Sequence, residues 1–356
     1  MPSLVLSLLL GAGLVQGAAI ANARPAHDSV TQSKAATSTT AATFFEGTCT
    51  AEKVTIRKEW RKMTRAEKDA YLEAEKCLFN LPANTTLDGV TTRFSDLQAL
   101  HRAYQNVTQD SQFVGDIIHN VGQFLPWHRF YMHTHETLLR EQCSYTGPMS
   151  WWDEEADANA GKLFQSEMWS ANSFGGNGTG ADLCLMDGAF ANTTMHIGPG
   201  LEDSSYCLYR DQTAEFVQYM GTDKLTECKS HNDYYGFFNC MVDFNTSPHV
   251  AGHNATGGMM SDIYASAGDP MFFMHHNYID RVWWQWQAGN SSSRLTDMSG
   301  NAYNMTTLEV NGVTLPASEL NATLDYVLQV ADVLPDVTIQ EVMNIQGGYL
   351  CYEYDY

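Results

Sequence analysis

The chain has 356 residues, and its 44% hydrophobic and 12% aromatic content is typical of a globular protein rather than a disordered one. Its formal net charge of -21 argues against classes of protein that hold DNA, RNA or anionic membrane surfaces by positive charge. We therefore expect neither a nucleic-acid nor a membrane partner.

The N-terminus carries a short apolar run over residues 4–15, followed by small residues. This run is too short to cross a membrane comfortably. We predict that residues 1–23 are a secretory signal peptide, cleaved after Ala21-Asn22-Ala23. Residues 24–45 are rich in Ser, Thr and Ala and predict a flexible spacer. Residues 46–356 are expected to form a single domain.

Two further features predict a secreted, extracellular protein. The cysteine count is even, which favours disulfides in a secreted chain although the pairing stays open: Cys49, Cys77, Cys143, Cys184, Cys207, Cys228, Cys240 and Cys351. The chain also has nine acceptor sites for N-glycans: Asn84, Asn106, Asn177, Asn192, Asn245, Asn254, Asn290, Asn304 and Asn321. Cys351 is expected to hold the C-terminal tail against the core.

The hydrophobic pattern predicts a mainly α protein with long loops. Helical spacing recurs over residues 54–78, where Thr64 and Glu67 form a capping-box pattern that predicts a break after Lys62. Further helices are predicted over residues 94–106, with Ser95 as N-cap, over 130–142, and over 269–288, with Asp269 as N-cap. Residues 161–207 indicate long loops, and residues 310–315 are the best strand.

Seven of the twelve histidines form two groups in apolar, aromatic sequence. The first group is His101, His119 and His128, and the second is His249, His253, His275 and His276. His249 and His253 are four residues apart, so a helix would point both rings off one face. Consecutive helical residues point about 100° apart, so only one of His275 and His276 is expected to serve a given metal.

A single buried histidine is more often structural than a metal ligand. Burying two groups of titratable rings is costly unless something keeps them neutral and ordered, and a metal does both. A catalytic zinc site usually has three ligands and a water with a nearby Glu, and no HExxH motif is present. Two all-imidazole triads favour a pair of copper ions, because neutral imidazole stabilises the Cu(I) needed to reduce O2.

Three segments carry a resemblance to the tyrosinase, catechol oxidase (polyphenol oxidase) and haemocyanin superfamily of type-3 dicopper proteins. They are residues 124–129 (FLPWHR), residues 269–283 (DPMFFMHHNYIDRVW) and, as in fungal members, residues 57–64 (RKEWRKMT). The resemblance implies a four-helix bundle around a dicopper centre, with long disulfide-braced loops and little β structure. It covers residue 49 to the C-terminus.

The resemblance implies a role for each candidate site residue. It assigns the first copper to His101, His119 and His128, and the second to His249, His253 and His276. His275 would then be a buried neighbour, and Asp280 would accept a hydrogen bond from a ligand ring or orient its helix. Ile263 would gate the second copper, and Asn254 lies directly beside His253, where a glycan would crowd the site.

The chain departs from the family pattern in two places. No cysteine lies between His101 and His119, so the thioether that many members make to the second ligand is expected to be absent. Tyrosinases commonly have Asn after the first ligand of the second copper and a Glu nine residues before that ligand. Here those positions hold Val250 and Cys240, and Asp243 is the nearest upstream carboxylate. A phenol has a pKa of about 10, so the loss of a positioned base is expected to hinder monophenol hydroxylation.

The sequence therefore predicts an enzyme that uses O2 and two copper ions to oxidise o-diphenols to o-quinones. The alternative is a tyrosinase that also hydroxylates monophenols, and Val250 argues against it. More distant alternatives are an oxygen carrier with the same six histidines and a secreted binding protein with a structural metal. No further catalytic side chain is expected beyond the metal ligands, and the oligomeric state stays open.

Overall fold

The computed structural model describes residues 48–109, 112–310 and 313–356. The predicted signal peptide (1–23) and spacer (24–45) lie outside these residues. Within the described ranges, no helix combines the length and the apolar character needed to span a membrane.

The described residues include ten α-helices, and four of them supply the candidate site: α2, α3, α7 and α8. In chain order the helices are α1 (Arg65–Asn80), α2 (Arg93–Ala103), α3 (Phe124–Gln142), α4 (Glu154–Asn159), α5 (Thr222–Lys229), α6 (Tyr234–Val242), α7 (Pro248–Thr256), α8 (Met271–Ala288), α9 (Ser291–Arg294) and α10 (Ile339–Met343). This mainly helical architecture confirms the predicted fold class.

The strands are short, and most of them pair locally. They are β1 (Thr55–Glu59), β2 (Val107–Gln109), β3 (Gln112–Gly115), β4 (Ser150–Trp151), β5 (Thr194–Met195), β6 (Tyr206–Cys207), β7 (Thr307–Val310), β8 (Val313–Pro316), β9 (Val327–Leu328), β10 (Val337–Thr338) and β11 (Tyr352–Tyr354). The pairs β2–β3, β5–β6, β7–β8 and β9–β10 are antiparallel. The exception is a three-stranded parallel sheet in the order β11-β1-β4, which joins the two ends of the described chain.

The helix predicted over residues 54–62 is wrong. Residues Thr55–Glu59 form β1, and Trp60–Lys62 form one turn of 3-10 helix. The strand forms because β11 and β4, which are distant in sequence, flank it on both sides. The predicted break is confirmed, since Thr64 and Glu67 make a complete capping box at the start of α1.

Three other helix starts differ from the prediction. The N-cap of α2 is Thr92, and Ser95 is its capping-box partner, three residues later. Helix α3 begins at Phe124 instead of residue 130, so it includes the whole FLPWHR segment. Helix α8 begins at Met271 with Pro270 at the N-cap position, one residue after the predicted Asp269. The Asp269 carboxylate still accepts the N–H of Met271 at 2.9 Å, and Arg210 holds its two oxygens at 2.7 and 2.8 Å. The single strand predicted over 310–315 is divided between the last residue of β7 and most of β8, and its residues 311–312 lie outside the described residues.

Four disulfides brace the fold: Cys49–Cys351, Cys77–Cys143, Cys184–Cys207 and Cys228–Cys240. The first confirms that Cys351 holds the C-terminal tail. The third closes part of the region 161–207, whose composition predicted long loops. Large aromatic side chains fill the core behind the site helices, and Trp151, Trp152, Trp283 and Trp286 are almost completely buried.

Candidate metal centre

The structure brings the seven predicted histidines into two adjoining groups. His101 lies on α2 and His128 on α3, while His119 lies in the segment between β3 and α3. His249 and His253 lie on α7, and His275 and His276 lie on α8. Within each group the nearest ring nitrogens are all within 4.8 Å of one another.

The first group is a tight cluster of three rings. The ring centroids are 5.0 Å apart for His101 and His119, 5.3 Å for His119 and His128, and 5.8 Å for His101 and His128. Nδ1 of His128 lies 2.9 Å from the carbonyl oxygen of Phe124, in the same helix. The buried Nε2 atoms of His101 and His128 have no hydrogen-bond partner. Each is therefore free to bind a metal.

The second group faces the first across the bundle. Nδ1 of His253 lies 2.8 Å from the carbonyl oxygen of Met260, and its Nε2 lies 3.3 Å from Nε2 of His276. The ring of His276 stacks on that of His128, with centroids 4.4 Å apart and an interplanar angle of 11°. Neither ring nitrogen of His249 has a partner. The stacked rings of His128 and His276 thus connect the two groups.

His275 differs from His276 because the carboxyl group of Glu154 contacts its ring. Its Nδ1 lies 2.5 Å from Oε1 of Glu154, the first residue of α4, and both side chains are fully buried. Burial raises the pKa of Glu154 well above its usual value and lowers the pKa of His275 to about 3. The ring of His275 packs against those of His249 and His253, at centroid distances of 5.5 and 4.6 Å.

The electrostatics favour the neutral form of five further rings. Burial, and then the neighbouring histidines, lower the pKa values of five rings well below the usual value: His101, His128, His249, His253 and His276. Neutral rings with unpartnered nitrogens are ready ligands, whereas leaving such nitrogens unsatisfied in a protein interior costs free energy. A donor set made only of imidazole suits copper well.

A cavity of about 130 Å³ opens from the histidines to the surface. It reaches both groups, since His119, His249 and His253 line it. Its apolar wall is formed by Phe124, Val242, Phe244, Val250, Met260 and Ile263. Its polar lining is Asn120, Asn254, Ser261 and Ser266. No Asp, Glu, Lys or Arg of the described residues lines it, so it suits an uncharged aromatic molecule.

The three residues predicted to control access, Val250, Asn254 and Ile263, all line this cavity. Val250 and Asn254 are half-buried in the cavity wall, while Ile263 is 45% exposed at its rim. Cys240 is bonded to Cys228, and Asp243 points to its own loop, where its carboxylate accepts N–H groups from Asn245 and Thr246. Neither of these last two residues lines the cavity.

The prediction that Asp280 bonds a ligand ring is wrong. Its carboxylate accepts hydrogen bonds from Arg129 and from the hydroxyls of Tyr352 and Tyr354, and it lies 3.6 Å from Arg57. Arg129 directly follows His128 in α3. Asp280 thus ties α8 to α3 and to β11, which agrees with the alternative role of orienting its helix.

Sequence reasoning missed two carboxylates beside the histidines, Asp116 and Glu154. Asp116 lies three residues before His119, and this spacing is a local signal that was available. Glu154 lies 121 residues before His275, and nothing in the local sequence links the two.

The helical bundle and its paired histidine groups define a class of metal-dependent oxidoreductases, and comparison with known proteins identifies the family. The family model "common central domain of tyrosinase" matches residues 91–289, so the chain belongs to the tyrosinase family. This is a family of copper-dependent oxidoreductases with type-3 dicopper sites.

Relatives and a solved structure support this assignment over most of the chain. It is 30% identical to N-acetyl-6-hydroxytryptophan oxidase of Emericella nidulans, over 86% of this chain and 94% of that protein. It is also 30% identical to a tyrosinase of Aspergillus flavus, over 84% and 79% of the two chains. The structure of a mutant polyphenol oxidase from Thermothelomyces thermophila matches with a TM-score of 0.73 and 26% identity, over 87% and 91% of the two chains.

Proposed function

We propose that this protein oxidises o-diphenols to o-quinones with O2 at a pair of copper ions. The observation that carries the proposal is the cavity, which leads to two adjoining groups of histidines and has no Asp, Glu, Lys or Arg of the described residues in its lining. When bound, the copper pair supplies the transfer of electrons from the phenol to O2. Two catechols and one O2 give two o-quinones and two waters.

The proposed ligands are the six rings whose geometry suits two ions. His101, His119 and His128 hold the first copper, and His249, His253 and His276 hold the second. His276 is preferred to His275 because its ring faces the first group and stacks on that of His128. The carbonyl oxygens beside His128 and His253 accept from Nδ1, which leaves Nε2 of each ring for the metal.

The cavity wall favours an o-diphenol over a monophenol. A monophenol has a pKa of about 10 and must lose its proton to a positioned base. Val250 offers no polar atom to hold a water for that purpose, and the carboxylate of Asp243 is occupied in its own loop. A catechol is oxidised more easily and depends less on such a base.

A hydroxyindole is a second candidate substrate. The relative from Emericella nidulans that matches over 94% of its length is named for the oxidation of N-acetyl-6-hydroxytryptophan. The apolar wall of the cavity accommodates a fused ring as well as a single one. Rates on 6-hydroxyindole and on 4-methylcatechol, measured side by side, separate the two candidates.

Two variants test the ligand assignment. The wild-type protein is expected to bind two copper ions per chain and to consume one O2 for every two catechols. His276→Gln is expected to retain only one ion and to lose activity. His275→Gln serves as the matched control and is expected to keep both ions. If His275→Gln lost an ion while His276→Gln kept two, the ligand assignment at the second copper would be wrong.

The proposal extends to secretion and N-glycosylation. Four disulfides suit an oxidising compartment, and eight of the nine glycan acceptor asparagines are exposed; Asn254, in the cavity wall, is half-buried. Expression of the full chain in a eukaryotic secretory host is expected to yield a medium-borne protein that begins after residue 23. Its mass should fall on treatment with an N-glycosidase, and Asn254 should be unmodified in peptide maps. An intracellular, unmodified product would contradict this.

A further inference from the structure

His119 differs from the other five proposed ligands because it is not part of a helix. It lies in the segment 116–123 that connects β3 to α3. A helix fixes the direction of its side chains, but a connecting segment needs another restraint. No cysteine lies between His101 and His119, so no thioether from that segment holds the ring.

The carboxylate of Asp116 contacts both the backbone and the ring of His119. Its Oδ1 accepts the N–H groups of Ile118 and His119, at 2.9 and 2.8 Å. Its Oδ2 lies 3.0 Å from Nδ1 of His119, and the Asp116 side chain is only 16% exposed. Among the described residues, this is the one contact between a carboxylate and any of the six proposed ligand rings. A ring that donates Nδ1–H to a carboxylate presents Nε2 to the metal.

We infer that Asp116 is a positioning residue that fixes the tautomer and direction of His119 for the first copper. The inference rests on the proposed metal pair. Asp116 does not line the cavity, so its effect on the first copper passes through His119.

The segment itself is held by contacts that do not involve Asp116. The N–H of Ile117 donates to the carbonyl of Tyr104 at 3.0 Å, and the amide of Gln123 donates to the carbonyl of Ile117 at 2.7 Å. At the other end, the N–H of Gly122 donates to the carbonyl of Asn301 at 2.7 Å. Removal of the Asp116 charge is therefore expected to leave the chain path unchanged.

Asp116→Asn tests the role of the carboxylate directly. The amide oxygen can still accept the two backbone N–H groups, but the amide NH2 then faces Nδ1 of His119. That contact favours the tautomer with its proton on Nε2, which blocks metal binding there. Asp243→Asn is the matched control, since Oδ1 of Asp243 also accepts two backbone N–H groups, at 3.1 and 2.9 Å, and touches no ring.

The measurements are copper affinity by titration, the electron paramagnetic resonance spectrum, and the melting temperature of the metal-free protein. We expect Asp116→Asn to bind one of its two ions about 10- to 100-fold more weakly than Asp243→Asn does. Its partly loaded form should show the signal of an isolated Cu(II) ion. Both metal-free variants should melt at the same temperature.

Two results would overturn the inference. One is binding of both ions by Asp116→Asn as tightly as by the control, with no isolated signal. The other is a metal-free Asp116→Asn that melts well below the control, since that would give Asp116 a role in the fold instead. Failure of the wild-type protein to bind two ions would overturn the metal pair itself, and the inference with it.

Discussion

Phe244 is the most exposed large hydrophobic residue that borders the cavity, with 75% of its surface accessible. An aromatic ring at the rim of an uncharged cavity offers a face against which a phenol can pack. Ile263, 45% exposed, borders the same opening. At the scale of single residues, we therefore expect apolar side chains rather than charge to set the substrate preference.

We predict that Phe244→Ala raises the KM for 4-methylcatechol about fivefold and leaves kcat nearly unchanged. The loss of an apolar contact worth about 1 kcal/mol corresponds to that factor, and the copper ligands are not disturbed. Steady-state kinetics measure the effect. Phe113→Ala is the control, because Phe113 is 55% exposed but does not line the cavity. Equal effects of the two substitutions would contradict the role of Phe244.

At the scale of elements, α7 can approach α8 closely because residue 252 is glycine. A Cβ atom there would lie 2.4 Å from Cε1 of His275 and 2.8 Å from Oε2 of Glu154, much closer than atoms can pack. The His275 ring cannot move aside, because Glu154 and the neighbouring rings enclose it. Gly252 thus sets the distance between the helices that carry the second histidine group.

Gly252→Ala is predicted to lower the free energy of unfolding by about 1–3 kcal/mol and to weaken copper binding at the second site. In a helix, alanine is more favourable than glycine by about 1 kcal/mol. A loss of stability in this variant must therefore come from the clash. Gly289→Ala, at the C-terminus of α8, is the control, because its Cβ would meet no atom closer than Nη1 of Arg294 at 3.0 Å and the carbonyl oxygen of Trp286 at 3.3 Å. Urea unfolding and copper analysis measure both variants. A Gly252→Ala protein at least as stable as wild type would refute this account.

Elements that depend on local sequence were the ones that could be predicted. Helices α1, α2, α3 and α8 carry a helical repeat of apolar residues, and the capping box of α1 lies within four residues. Strand β1 could not be found, because its partners β4 and β11 lie about 90 and 300 residues away. The Glu154–His275 pair and the disulfide pairing also join residues that are distant in sequence, so they could not be predicted either. The histidine groups could be recognised from their motifs.

At the scale of the whole molecule, Asp280 joins the site helices to the C-terminal strand. Burial alone would raise the pKa of Asp280, but Arg129, Arg57 and the hydroxyls of Tyr352 and Tyr354 outweigh it, so the pKa is lowered. Arg57 lies in β1 and the tyrosines lie in β11, so the carboxylate connects the bundle to the parallel sheet. The Cys49–Cys351 disulfide closes the same end of the molecule.

Asp280→Asn is predicted to destabilise the protein by about 3–5 kcal/mol at pH 7, because it leaves the buried Arg129 without its counterion and leaves Arg57 with Glu136 alone. A carboxyl group with a lowered folded pKa stabilises the fold above its unfolded pKa of about 3.9 and loses this effect as pH falls through the folded value. The difference in free energy of unfolding between the wild type and Asp280→Asn should therefore become smaller below pH 4. Urea unfolding at pH 7 and pH 3 tests this. Asp69→Asn, in an exposed ion pair with Arg65, should change stability by less than about 1 kcal/mol.

Initial rates on a monophenol and its matching o-diphenol test most directly whether the protein oxidises o-diphenols without hydroxylating monophenols. With copper-loaded mature protein, p-cresol and 4-methylcatechol would be compared under the same O2 concentration. We predict quinone formation from 4-methylcatechol and little or none from p-cresol, because the cavity lacks a base beside Val250. Comparable rates on both would contradict the claim and identify the protein as an enzyme that also hydroxylates monophenols.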